Sequence, residues 1–176
     1  RWKGQLVFIE ALAQLAAPRS LNRVRAVLAG DPQGRDKYVN ELHAAIAAAK
    51  LDKTVSIVGH TADMPAACLA SDVVVSASIE PEAFGRVAAE AGAMGRPVIA
   101  TDHGGARETI LPGVSGQLVR PGDATALAKA LGALMEMDPS ARAQMGEEGR
   151  IYIRAHFSLD RMCSDTLAVY RELLPA

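Results

Sequence analysis

Apolar residues recur along the chain with two different spacings. Stretches with an apolar residue every three or four positions predict helices, and short continuous aliphatic runs predict buried strands. The predicted strands cover residues 24–29, 55–58, 73–75, 97–100 and 116–119. The predicted helices cover about 4–17, 36–50, 65–69, 84–94, 104–110, 123–136, a stretch opening at 138, and 158–174. This alternation is typical of βαβ units with parallel strands.

The pattern predicts an α/β class domain, with a doubly wound, Rossmann-like parallel sheet flanked by helices on both faces. Pro18 is expected to end the first helix, and Asp63, Asp123 and Asp138 are expected to cap later ones. Val73–Val75 is expected to be buried on both faces. Ligands of such sheets gather beyond the carboxyl ends of the strands. A ligand site is therefore expected in the loops that follow Ala29, Val58, Ser76 and Ala100.

Composition narrows the function classes. The length of 176 residues suits one domain, and 19 basic against 20 acidic residues give a charge of −1, without the basic excess typical of nucleic-acid surfaces. We predict that Cys68 and Cys163 are reduced thiols in a cytosolic protein. No membrane span or signal peptide is predicted. The chain has no initiator Met and opens directly into a helical pattern, so we expect a longer native protein.

The loop after the third strand carries the clearest chemical signal. It leads into a helix whose first backbone N–H groups, those of Phe84, Gly85 and Arg86, form an anion site at the positive end of the helix dipole. Glu82 and Glu90 flank these amides, and carboxylates there suit hydroxyl groups on either side of a phosphate. A nucleotide sugar has those parts in that order. Acidic residues near helix starts are also common for dipole reasons alone, so spacing by itself leaves both interpretations open.

Several segments together resemble a known family. Glu82-x7-Glu90 encloses Phe84-Gly85, Lys3-Gly4 opens the first helix, and Gly104-Gly105 with Glu108 follows the fourth strand. With 27–31, 91–101 and 121–123, this pattern resembles the retaining, metal-independent glycosyltransferases of family 4 (group 1) over essentially the whole chain. That family has the GT-B fold, which consists of two Rossmann-like domains with a cleft between them.

The resemblance implies a role for each matching residue. Glu82 would bind hydroxyls of the donor sugar, Glu90 would hold the ribose hydroxyls, and Lys3 would neutralise the diphosphate leaving group. Lys3 and Glu82 are thus the predicted catalytic residues, and neither a metal nor another cofactor is expected. The residues predicted to bind substrate are Glu82, Ala83, Phe84, Gly85, Arg86, Glu90, Gly30 and His60. For the last two, which end strands in crevice loops, a plain turn at Gly30 and a structural or solvated histidine at position 60 are the alternatives.

The resemblance also implies what this chain lacks. Residues 1–176 would form the donor-binding C-terminal domain, whereas the acceptor-binding N-terminal domain, an arginine beside the diphosphate and a central first strand would precede Arg1. The isolated domain is therefore expected to be inactive. The expected partners are a nucleotide-diphosphate sugar and a glycan or lipid acceptor, with no nucleic acid. The expected location is the cytoplasm, with peripheral contact at the inner face of the membrane through the missing domain.

Alternatives remain at this stage. A sugar-nucleotide epimerase or hydrolase can share the GT-B architecture, and a binding module can keep the fold without catalysis. His103 could approach the donor or the acceptor, Arg86 and Arg107 could assist an anion, and His43 and His156 are predicted surface residues. The chain contains no HExxH, CxxC or P-loop motif, and no GxGxxG follows its first strand. The sequence therefore gives no support to a zinc site, a nicotinamide site or a P-loop nucleotide site.

Overall fold

The computed structural model describes residues 1–16 and 21–174. Helices and strands alternate through this part of the chain, and three further helices follow the last strand. The strands are β1 (Ala26–Ala29), β2 (Val55–Val58), β3 (Val74–Ser76), β4 (Val98–Thr101) and β5 (Gly116–Val119). The helices are α1 (Gln5–Ala16), α2 (Asp36–Ala48), α3 (Met64–Leu69), α4 (Arg86–Ala93), α5 (Ala106–Thr109), α6 (Ala124–Glu136), α7 (Pro139–His156) and α8 (Leu159–Leu173).

The strands are parallel, as predicted, but they form two sheets. Strand β1 pairs with β2, and β3, β4 and β5 pair in that order. Within the described residues no ladder joins the two groups of strands. Both sheets nevertheless contribute to one hydrophobic cluster, which contains Ala26 and Val55 from the first sheet and Ile99 from the second.

Strand β4 shows why helices cover both faces of the larger sheet. All four of its residues are buried. Ile99 packs in the cluster built with α1, α2 and α6, whereas Val98 and Ala100 pack in a second cluster with residues of α3, α4 and α5. Side chains alternate along a strand, so the two clusters lie on opposite faces. The predicted α/β class with flanking helices is thus confirmed, although β3 is only half-buried and it is β4 that is buried on both faces.

Helix starts follow the capping prediction at several points. Asp63, Asp123 and Asp138 each accept a hydrogen bond from a backbone amide of the first helical turn, as does Ser158 at the start of α8. The predicted end of α1 at Ala17 and Pro18 lies outside the described residues. Helix α4 begins at Arg86, two residues later than predicted, because Gly85 adopts φ +76° and cannot belong to the helix.

Helix α8 differs from the other long helices. None of its residues is buried, and its large apolar side chains are exposed. A search of the described residues finds no helix with the length and apolar character to cross a bilayer. Cys68 is buried and Cys163 is exposed, and neither forms a disulfide.

Candidate functional site

The loop from Ala77 to Gly85 joins β3 to α4 and is held tightly by its neighbours. Gly104 and Gly105 lie against the backbone of Glu82 and Phe84, and a Cβ at either glycine would overlap that backbone. The amide of Gly105 also donates a hydrogen bond to the carbonyl of Glu82 at 2.9 Å. The loop after β4 therefore fixes the backbone of the segment that carries Glu82.

The first four residues of the chain pack on the other side of this loop. Ile79 donates its amide to the carbonyl of Trp2 at 2.7 Å, and Gly4 lies against the carbonyl of Ala77 so closely that a side chain there would overlap it. These contacts bring the Lys3 ammonium to 2.8 Å from Oε2 of Glu82. The same ammonium lies 4.2 Å from the centre of the Trp2 ring. The two predicted catalytic residues are thus adjacent.

A buried polar network surrounds Glu82. The Ser78 hydroxyl donates to Oε1 of Glu82. The carbonyl of Ser78 accepts a hydrogen bond from Oγ1 of Thr101 at 2.7 Å and lies 2.9 Å from Nε2 of His103. Because a carbonyl only accepts, Nε2 must carry the proton in this contact. His103 Nδ1 is buried and has no hydrogen-bond partner among the described residues.

The environment of Glu82 acts on its pKa in two directions. Burial raises the pKa of the carboxyl, which is the largest single influence. Hydrogen bonds from Lys3 and Ser78, and the charges of Lys3 and His103, lower it. The lowering contributions together prevail, so the pKa of Glu82 lies below its usual value and the ionised form is favoured. Glu82 is therefore an acceptor at neutral pH.

At the start of α4 the Ala88 amide donates to the carbonyl of Gly85, and the amides of Arg86 and Val87 have no side-chain cap. No side chain caps this helix, and Gly85 ends the loop in a left-handed conformation. The prediction that Phe84 belongs to the helix was wrong, and the first-turn amides begin at Arg86. One turn further along the helix, Arg86 donates through Nε and Nη2 to Oε1 of Glu90 at 3.1 and 2.8 Å. Within the described residues Oε2 of Glu90 has no such partner, so one oxygen can accept hydroxyl groups.

Gly30 and His60 lie apart from this cluster. Both are exposed beyond the ends of β1 and β2, and the amide of Gly30 approaches the carbonyls of Val58 and Gly59 at 3.4 and 3.3 Å. A Cβ at Gly30 would meet open space. In the described residues no hydrogen bond or ion pair links Gly30 or His60 to Glu82 or Glu90, and their binding roles stay predictions.

The remaining candidates sort clearly. His43 and His156 are exposed, as predicted. Arg107 is bound to the Asp102 carboxylate at 2.8 Å and to its carbonyl.

Ala83 is exposed in the loop beside Glu82. Phe84, also exposed in part, lies 5.7 Å from the Phe157 ring at the end of α7. Sequence reasoning missed Ser78 and Thr101, and the only signal was the position of Ser78 four residues before Glu82.

Two depressions differ in their chemistry. A cavity of about 10 Å³, which is near the minimum for one water, is lined by Ser78, Glu82, Gly85, Thr101 and His103 among others. A larger, open depression of about 410 Å³ is lined by Glu10 and residues 120–125. The larger depression surrounds the start of α6, which the Asp123 carboxylate already caps, whereas the smaller one is lined by Glu82. Across the described residues there is no group of three His, Cys, Asp or Glu side chains suited to a metal ion.

Known proteins share both the sequence and the fold. The profile of the family described as Glycosyl transferases group 1 matches residues 1–152. D-inositol 3-phosphate glycosyltransferase from Salinispora tropica is 36% identical over 97% of this chain and 36% of its own length. The chain spans between about a third and a half of the curated relatives it matches.

Solved structures extend the comparison. HepE from Anabaena, in complex with UDP and glucose, superposes with a TM-score of 0.85 and 35% identity over 96% of this chain and 45% of that one. The C-terminal domain of LpcC, a glycosyl transferase group 1 family protein from Francisella tularensis, superposes with a TM-score of 0.78. Its sequence identity is 31%, and the match covers 90% of this chain and 81% of that one. The neighbours are GT-B glycosyltransferases, as expected from the sequence. The chain belongs to the glycosyl transferases group 1 family.

Proposed function

We propose that this chain is the donor-binding part of a retaining glycosyltransferase that takes a sugar from a nucleotide-diphosphate carrier. The observation that carries the proposal is the uncapped start of α4, flanked by Glu82 on one side and Glu90 on the other. Backbone amides favour a diphosphate, and the two carboxylates favour hydroxyl groups. HepE, which has a similar fold and 35% identity, was solved with UDP-glucose.

The proposed roles follow the charges. Glu82, ionised and held on a fixed loop, accepts hydroxyls of the donor sugar, and the open oxygen of Glu90 accepts ribose hydroxyls. The Lys3 ammonium stabilises the diphosphate as it leaves, which a cation within reach can do without a metal ion. The bond from the anomeric carbon to the diphosphate breaks and its electron pair leaves with the diphosphate. The acceptor oxygen forms the new bond on the same face, and its hydroxyl proton passes to the departing diphosphate oxygen. A glycan or lipid acceptor would be bound by another part of a longer, cytoplasmic protein.

Calorimetry on this chain tests donor binding without an acceptor. UDP and UDP-glucose serve as probes. Removing a hydrogen bond to a charged group costs about 1.5–3 kcal/mol, so Glu90→Ala should weaken both ligands by about tenfold to a hundredfold. Glu82→Ala should weaken UDP-glucose and leave UDP nearly unchanged, because only the sugar reaches Glu82.

Glu148→Ala is the matched control. Glu148 lies on α7 and contacts Gln144, away from the proposed site. This variant should bind both ligands as the wild type does. A Glu90→Ala protein with unchanged UDP affinity would remove the ribose role, and equal losses of UDP and UDP-glucose in Glu82→Ala would remove the sugar role. Turnover of UDP-glucose by the longer protein without an acceptor would favour an epimerase or hydrolase.

A further inference from the structure

We propose that Ser78 is a positioning residue that fixes the carboxylate of Glu82, and that Thr101 and His103 hold Ser78 in place. The proposal rests on the donor-binding function, because it concerns how Glu82 is presented to the sugar. None of these three residues is expected to take part in bond making or breaking. Their contribution is to set the orientation of one carboxylate before the donor binds.

The direction of the Ser78 hydrogen bond follows from its partner. An ionised carboxylate has no proton to give, so the single hydroxyl proton of Ser78 must point to Oε1 of Glu82. Ser78 is 2% exposed, and bulk water therefore has little access to this bond. A partly buried bond to a charged acceptor is stronger than one fully in water.

The backbone of Ser78 is fixed independently of its side chain. Its carbonyl receives both the Thr101 hydroxyl and His103 Nε2, and these two residues lie at the end of β4 and just after it. Thr101 is itself buried. The two contacts therefore fix the loop before α4 relative to the central strand of the larger sheet. This arrangement uses both lone pairs of the carbonyl and leaves the hydroxyl free for Glu82.

The two contacts of Glu82 differ in mobility. Lys3 holds Oε2 with a side chain that is 41% exposed, on the segment that precedes α1, whereas Ser78 is itself buried. A lysine with that much solvent contact can turn toward an incoming diphosphate. Ser78 then remains as the contact that keeps Glu82 oriented, and each carboxylate oxygen still has a lone pair for a sugar hydroxyl.

The test combines a measurement without ligand and a binding cycle. The pKa of Glu82, followed by carbon NMR of its carboxyl group in the full chain, should rise in Ser78→Ala because a hydrogen bond to the ionised form is lost. UDP-glucose affinity should fall about tenfold in Ser78→Ala, with UDP affinity unchanged. In the Glu82→Ala background the same serine substitution should have no further effect on UDP-glucose.

Control variants separate positioning from general damage. Ser71→Ala removes a serine hydroxyl that bonds the Ala67 carbonyl after α3, and it should change neither readout. Thr101→Val keeps Ser78 and removes one support of its carbonyl, so smaller changes in the same direction are expected. It provides the same comparison if Ser78→Ala does not fold.

The outcomes are distinguishable. An unchanged pKa of Glu82 in Ser78→Ala, or an equal loss of UDP-glucose affinity in the Glu82→Ala background, would overturn the positioning role. A wild-type chain that binds neither UDP nor UDP-glucose would instead contradict the donor-binding function. In that case the NMR measurement still decides whether Ser78 holds Glu82, because it needs no ligand.

Discussion

Helices α4 and α6 both begin just after a strand of the same sheet and a short loop, yet their first turns are satisfied in different ways. At α6 the Asp123 side chain accepts the amide of Ala126 at 2.8 Å. At α4 the preceding residue is Gly85, which has no side chain to offer, and no side chain accepts from the amides of Arg86 and Val87. The nearest carboxylates, Glu82 and Glu90, are bonded to Lys3 and Arg86 instead.

The two helices use the positive end of the helix dipole in different ways. The positive end of a helix attracts an anion, and an aspartate cap supplies that anion from within the protein. Helix α6 uses this attraction for stability, whereas α4 leaves it available to a ligand. Helix α2 also lacks a side-chain cap, but it has Asp36 in its first turn. Among these three starts, α4 alone combines uncapped amides with a glycine that lets a phosphate approach.

The largest effect should come from giving α4 the carboxylate that α6 has. Gly85→Asp places an anion where the diphosphate is proposed to bind, so UDP affinity should fall about a hundredfold. Gly85→Asn is the matched control, because Asn and Asp both tolerate a positive φ and differ in charge. Calorimetry compares them, and equal losses in the two variants would show that shape, not charge, matters at this position.

The next effect concerns Lys3, the cation beside the same loop. Lys3→Met should weaken UDP by about tenfold, since a cation within reach of the diphosphate is lost. Lys129→Met on α6 provides a matched control, which should bind UDP normally. Binding at wild-type strength in Lys3→Met would leave the α4 amides as the whole anion site and remove the proposed role of Lys3.

Removing the cap of α6 should affect stability and not binding. Asp123→Ala should cost about 1 kcal/mol of unfolding free energy and lower the Tm by about 2–4 °C. UDP affinity should stay as in the wild type. Asp138→Ala, at the start of α7, is a second cap for comparison. A loss of UDP binding on removing Asp123 would contradict the separation between the two helix starts.

Acid should act on the α4 side through Glu82. Its pKa is lowered in the folded state, so its ionisation stabilises the fold above the unfolded-state pKa of about 4.3. That stabilisation is lost as the pH falls through the lower folded-state value. Urea unfolding of wild type and Glu82→Gln from pH 7 to pH 3 should show a difference that shrinks below about pH 4.3. In a Lys3→Met background this pH dependence should weaken, because one of the groups that lower the pKa of Glu82 is lost. A difference between wild type and Glu82→Gln that grows as the pH falls would contradict a lowered pKa.

The smallest effect is expected for the Arg86–Glu90 pair. Its arginine side chain is 82% exposed, so Arg86→Met should change the unfolding free energy by less than about 0.5 kcal/mol. Arg161→Met breaks a similar i,i+4 pair with Asp165 on α8 and serves as the control. A severalfold loss of UDP affinity in Arg86→Met alone would show that this arginine also contacts the ligand.

The order of elements could be predicted because each strand and helix has its own apolar period. The bounds of β2 and β5 agree with the sequence pattern, and Asp63 and Asp123 cap as expected. The start of α4 was wrong by two residues, since the left-handed backbone at Gly85 stops a helical pattern that apolar spacing alone would continue. Division of the strands into two sheets depends on long-range pairing, which local periods do not report.

The site was predictable where a motif spans few residues and obscure where it needs tertiary contacts. Glu82 and Glu90 are visible by spacing, but the Lys3–Glu82 ion pair joins residues far apart in the sequence. Thr101 at the end of β4 and His103 just after it reach Ser78 across the sheet, so no local pattern shows these contacts. Sequence reasoning supplied both glutamates and Lys3, but the partner on each glutamate oxygen is a property of packing.

The glycines that contact the loop from Ala77 to Gly85 limit which substitutions this part of the chain can accept. Backbone meets backbone where Gly104 and Gly105 touch Glu82 and Phe84, and where Gly4 touches Ala77. Insertions or larger residues at these positions would displace the backbone that carries Glu82 and Phe84. Libraries aimed at a different sugar should therefore keep this main chain intact and vary exposed side chains such as Ala83. Around Glu82, the closely packed backbone tolerates few substitutions, whereas the exposed side chains can be changed.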